Sequence, residues 1–204
     1  MYGRWCNLSA LQRKMLTLNG DETIELDLEA STVNVMYKNI SDAKYQEGDP
    51  YYLSIDGKVI PRHIVKQAST IMLSTGSIRA ATSALMNHYT PRLDEWIKDK
   101  RSNEKKEKAK EYVEIVSVIK PSEIMKAFLQ KHIYIKEFYL KGKKMGDYVA
   151  CMESDRVFEI IRQLTEKSIP VLTVYDAFIV QKQYEDLVLK LMAELPHPKY
   201  WELI

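Results

Sequence analysis

The stretch Ile169–Gln181, IPVLTVYDAFIVQ, decides how the chain is read. β-Branched and aromatic residues flank Asp176 on both sides, so the run has strand character. An ionised carboxylate inside a buried strand is costly unless something pairs with it. A hairpin removes the conflict. VLTV and FIVQ become two strands, and Asp176 sits at the turn with its carboxylate directed out of the end of a sheet. A turn, a cation or a metal ion would each accommodate it there.

Working outward, ETIELDL, Glu22 to Leu28, alternates apolar and polar residues and reads as a strand preceded by the turn NGDE. Asp27 closes it in the same local setting as Asp176. STVNVMYKNI follows on directly, and GDPYYLSIDGKVIP, punctuated by Gly and Pro, reads as loop. Arg62 to Leu73 places Ile64, Val65, Ala68, Ile71 and Met72 at helical spacing, and a second helical piece covers Ser77 to Asn87. KDKRSNEKKEKAKE, Lys98 to Glu111, has almost nothing to bury and reads as a solvated helix or an excursion from the core. YVEIVSVI reads as a strand ended by Pro121, PSEIMKAFLQKH as a short helix, and KGKKMGD as a basic loop. Val157, Ile160, Ile161 and Leu164 form one apolar helix face, with Ser154 as its N-cap. A last amphipathic helix carries Leu187, Val188, Leu191, Met192 and Leu195, ahead of the tail PHPKYWELI. The sum is an α+β chain, a small antiparallel sheet with helices on one face and a helical excursion at about 60–111.

At 204 residues, 46% of them hydrophobic, the chain can bury a core without disulfides. Cys6 and Cys151 form no metal-ligand pattern, and such sparse use suits a reducing compartment. No apolar run reaches transmembrane length and the N-terminus has no signal-peptide core, so the expectation is an intracellular protein with no membrane partner. A net charge of +2 does not by itself argue for nucleic acid, and the four histidines lack zinc-site spacing.

Two carboxylates from separate strand ends can hold a pair of divalent cations about 4 Å apart. Mg²⁺ suits such a site, being satisfied by a few carboxylates and substrate phosphates. Capping a turn is the commoner role of a lone Asp between strands. Arg62 and Lys66 stand one helical turn apart with Thr70 and Ser74 on the same stripe, an arrangement suited to a triphosphate or to a plain solvated face. Helical geometry turns His63 off that stripe. Glu25 and Glu29 share the strand face of Asp27, either assisting a metal ion or facing solvent. Tyr51 and Tyr52 either stack on a base or pack against their own domain. Lys141, Lys143 and Lys144 contact either phosphates or water, while the lysines of the Lys98–Lys110 run, interleaved with Glu104, Glu107 and Glu111, read as solvated.

Taken in order, three segments resemble motifs A, B and C of the family A DNA polymerases and the related single-subunit RNA polymerases of phages and mitochondria. ELDLEASTVNVMY resembles motif A, RHIVKQAST the start of motif B, and TVYDAF motif C. The resemblance implies a single palm-like core over 1–204 with a reduced fingers excursion and neither thumb nor exonuclease domain. It also implies two Mg²⁺ or Mn²⁺ ions held by Asp27 and Asp176, and a triphosphate bound by Arg62 and Lys66. Thr32 would stand where the sugar is sensed and Tyr175 where motif C usually has His. The helix from about Ser154 to Lys167 would lie near primer and template. The implied partners are a nucleic-acid template-primer, nucleoside triphosphates and a subunit supplying a thumb. Ser74 stands where motif B carries Tyr followed by Gly, and the glycine comes later, at Gly76. The alternative is a catalytically inert palm that binds nucleic acid or a partner polymerase subunit.

Overall fold

The computed structural model describes residues 4–41, 45, 47–90 and 103–194. In chain order its elements are α1 (Ala10–Arg13), β1 (Thr17–Leu18), β2 (Asp21–Asp27), α2 (Ser31–Ser41), β3 (Leu53–Ile55), β4 (Lys58–Ile60), α3 (Arg62–Ser74), α4 (Ile78–Tyr89), α5 (Asn103–Val116), α6 (Pro121–Lys131), α7 (Lys143–Glu166), β5 (Val171–Val174), β6 (Ala177–Gln181) and α8 (Glu185–Glu194). The fold is mixed α+β. The chain divides into two compact units, Met1–Lys44 with Val149–Ile204, and Tyr45–Tyr148. Residues 60–111 fall within the second unit.

The first unit is built on a four-stranded antiparallel sheet in the order β1-β2-β6-β5. Strand alternation sends Ile24, Leu26 and Leu28 to one face, where they meet Phe178 and Val180 of β6. Ile160 and Leu164 of α7 and Val188, Leu191 and Met192 of α8 close this core. Thr23, Glu25 and Asp27 take the other face, and Arg13 forks onto both oxygens of Glu25 at 2.9 and 2.8 Å. The outer strand β5 is guarded by the 3₁₀ turn Arg4–Asn7, whose Trp5 Nε1 donates to the Thr173 carbonyl at 2.9 Å.

In the second unit α3 buries Ile64, Val65, Ala68 and Met72, packing with Ala81 and Leu85 of α4 and with Ile124, Met125 and Phe128 of α6. Pro121 occupies the first turn of α6, where its missing N–H has no partner to lose. At Gly146 an added Cβ would lie 3.2 Å from the Leu73 carbonyl oxygen, so glycine permits the close approach of α7's first turn to the end of α3. Among the described residues no helix is long and apolar enough to cross a membrane.

Several expectations need correction. YVEIVSVI is not a strand: α5 runs to Val116 and buries Ala109, Tyr112 and Ile115, a helical spacing that continues out of the charge run. GDPYYLSIDGKVIP is not all loop. Asp56 and Gly57 both adopt positive φ, the two-residue turn that twists β3 and β4 into a hairpin. KGKKMGD mostly belongs to α7, which begins at Lys143, so Ser154 lies inside that helix rather than capping it. STVNVMYKNI forms α2 despite its β-branched residues. Ala30 at φ 45° breaks from the strand, and burial around the helix overrides local propensity. Residues 98–102, Leu195 and the tail lie outside the described residues.

Phe178 has no solvent exposure, and Phe178→Ala is expected to cost about 3–5 kcal/mol in urea unfolding. A second expectation concerns acid. His132 is fully buried, Nε2 facing the Pro50 carbonyl at 2.9 Å, and burial holds its pKa below the ordinary 6.5. Burial acts on His63 in the same direction. Below that ordinary value the unfolded chain binds protons the folded chain resists, so stability falls as pH drops. The thermal midpoint should therefore decrease between about pH 7.5 and 5.5, and less so in His132→Gln. An unchanged pH response in that variant would remove His132 from the account.

Candidate functional site

Asp27 ends β2 and Asp176 occupies the β5–β6 turn, and the register brings them to the same end of the sheet. Asp27 pairs with Ala177, and the Leu28 N–H donates to the Asp176 carbonyl at 3.4 Å. The turn joins Val174 to Ala177 through two residues, one fewer than the sequence reading left between VLTV and FIVQ. Its first residue, Tyr175, has φ 57° and is 91% exposed. A side chain is costly at that dihedral, where hairpin turns favour glycine.

Side chains at this end separate by face. Asp176 and Tyr175 line a cleft of about 470 Å³ together with Glu153, Phe158 and Ile161 of α7. Asp27 does not line it, since alternation turns Asp27 to the face opposite Leu26 and Leu28. Thr32 Oγ1 donates to Glu153 Oε1 at 3.0 Å, which ties the start of α2 to the cleft wall. Glu25 is held by Arg13, and Glu29 is exposed.

Glu153 escaped the sequence reading. It stands just before the expected helix start, and only the earlier beginning of α7 puts it on a helix face. Phe158, 68% exposed on the same wall, was likewise unremarkable in sequence.

Arg62 and Lys66 belong to the second unit. The stripe they were expected to share is divided. Arg62 Nε donates to Asp49 Oδ2 at 2.7 Å, and its guanidinium lies 5.1 Å from the centroid of the Tyr51 ring. Tyr51 is buried, whereas Tyr52 is exposed. Lys66 and Thr70 instead line a cavity reaching α4 and α5, and His63 lines it with them, contrary to the expectation that it would turn away. Ser74 Oγ donates back to the Ile71 carbonyl.

Carboxylates at one sheet end, with a third in the adjoining cleft, are the hard oxygen donors a divalent cation takes. Among the described residues no group of three or more His, Cys, Asp or Glu is arranged to hold one. Comparisons with protein-family models, with curated proteins and with solved structures found no match.

Tyr175→Gly is expected to relieve the turn and raise stability by up to about 1 kcal/mol, read as a higher denaturant midpoint. A lower midpoint would mean that the exposed ring makes a contact worth more than the backbone strain.

Proposed function

We propose that the chain is a palm-type nucleotidyltransferase core related to family A polymerases, extending a nucleic-acid primer on a template. The observation that carries this reading is the adjacency of Asp27 and Asp176 at one end of the β2–β6 ladder. Asp27 leaves this end on the face away from the cleft that Asp176 lines, so the two carboxylates would hold a shared pair of Mg²⁺ or Mn²⁺ ions only after reorienting at the turn. Bound there, the ions would lower the pKa of the attacking hydroxyl and neutralise the departing pyrophosphate.

The chain's own residues would do the positioning. Tyr175, projecting from the turn, would contact the primer end, and Thr32, oriented by Glu153, would face the sugar. On the second unit, Lys66 would receive a triphosphate, and Arg62 would stay with Asp49. The primer's 3′-hydroxyl would attack the α-phosphate in line, its proton passing to solvent as pyrophosphate departs. Partners would be a template-primer duplex, nucleoside triphosphates and a subunit supplying a thumb.

A second reading is favoured by one observation: Arg62 is committed to Asp49. In that reading the palm is inert and binds nucleic acid or a partner polymerase subunit.

Primer extension on a primed DNA template, with deoxynucleotides and ribonucleotides supplied separately, tests the two readings. Wild type should extend the primer. Asp27→Asn and Asp176→Asn should each lower the rate by at least about a thousandfold, while unfolding at the wild-type midpoint. Extension that survives in both variants would sink the two-metal reading. No extension by any form, with duplex bound equally by all three, would establish the inert palm.

A further inference from the structure

The second unit contains a basic cavity that the preceding reading does not use beyond Lys66. Its volume is about 510 Å³, within the range of small-ligand pockets. Lys66 of α3 and Lys105 and Lys108 of α5 line it. Lys105, Lys108 and Ala109 are spaced to share one face of α5, while Lys106 and Lys110 fall outside the lining. One face of the charge run therefore lines a cavity, with Ala109 buried and Lys105 still exposed.

The nearby acids balance only part of this charge. Lys108 Nζ meets Glu104 Oε1 at 2.6 Å, and Glu111 lies 3.5 Å from His63 Nδ1. Neither Lys66 nor Lys105 makes an ion pair among the described residues. Part of the lining is aromatic. Tyr89 lines the cavity and stacks on Tyr112, with centroids 4.5 Å apart, and its hydroxyl donates to the His63 carbonyl at 3.1 Å. Burial raises the pKa of both phenols, that of Tyr112 to about 12, so neither adds negative charge at neutral pH. The exposed Lys66 and Lys105, together with Lys108 shared with Glu104, put ammonium donors suited to phosphate oxygens beside the uncharged Tyr89 ring.

We propose that this α3–α4–α5 cavity binds the phosphate chain of a nucleoside triphosphate, with Lys66, Lys105 and Lys108 as its ligands and Arg62 outside the set. The nucleoside part rests on the proposed polymerase function, whereas the phosphate part rests on the cavity alone. Inorganic tripolyphosphate and a deoxynucleoside triphosphate share the chemistry that the lysines recognise, so the test uses both.

The measurement is calorimetric titration of the full chain with each probe, in EDTA so that no metal site contributes. Both probes should bind, more weakly as salt is raised. Lys105→Ala/Lys108→Ala should weaken binding by at least about tenfold, and adding Lys66→Ala should abolish it. Lys106→Ala/Lys110→Ala carries the same change in net charge and should stay within about twofold, as should Arg62→Ala. Equal losses in the two double variants, dependence on Arg62, or no binding of either probe would overturn the proposal. Tripolyphosphate binding as tight as that of the nucleotide would confirm the phosphate site and remove the nucleoside from it. Because Asp27 and Asp176 play no part in this titration, lysine-dependent binding without primer extension would defeat the polymerase reading and leave the cavity standing. Extension without lysine-dependent binding would do the reverse.

Discussion

The first unit depends on the antiparallel ladder between β2 and β6, five paired positions from Thr23↔Gln181 to Asp27↔Ala177. These strands come from opposite ends of the sequence, so the loop-closure entropy of bringing them together must be offset by what the ladder buries. β6 is buried along its whole length, and Phe178 and Val180 face the same core as Leu26 and Leu28. Pairing and packing therefore support one register. A slip of one residue would turn Leu26 away from that core and send a carboxylate into it. The same register fixes the sheet end at which Asp27 and Asp176 meet. The candidate site is thus a consequence of core packing.

Two buried cations reinforce this arrangement from the helical side. Lys38 of α2 donates to the Ala193 carbonyl at 2.8 Å, and the almost fully buried Arg156 of α7 donates to the Met192 carbonyl. Both carbonyls belong to the last turn of α8, where helical carbonyls lack intrahelical partners and the dipole favours positive charge. Desolvation lowers the Arg156 pKa, which records the cost of burying a guanidinium with little compensation. The cations hold α2 and α7 against the end of α8. This explains how a β-branched segment such as STVNVMYKNI is kept helical, since the tertiary contacts outweigh a propensity difference of tenths of a kcal/mol per residue.

In the second unit charge is distributed by partner and not by periodicity. Arg62 and Lys66 begin one helix and look equivalent on a helical wheel. Asp49 and Tyr51 draw the first away, while the second stays exposed and lines a cavity with residues of α5. The fork of a guanidinium suits a carboxylate and an aromatic face, whereas an ammonium on a flexible stem suits a shared anion cavity. His63 joins Lys66 because residues three or four apart on a helix are neighbours, so His63, Lys66 and Thr70 form one face of α3.

The sequence by itself determined the hairpin with Asp176 at its turn, the strand ending near Asp27, and helices read over Arg62–Leu73, Ser77–Asn87 and Pro121–His132, each within two residues of the observed bounds. Each rests on local periods or turn chemistry, which act over a few residues and are legible without knowing what packs against them. The length of α7, the helical state of α2 and of the YVEIV segment, and the β3–β4 hairpin were obscured by competing local signals, except that Asp56-Gly57 is a turn signature that can be read directly. Only the tertiary structure decided that Asp27 and Asp176 meet at one sheet end on different faces, that Glu153 holds Thr32, and that Arg62 and Lys66 part company. The physical reason is common to all three. A side chain's partner is chosen by elements distant in sequence, and neither pleat nor helical period carries information about which of them will arrive.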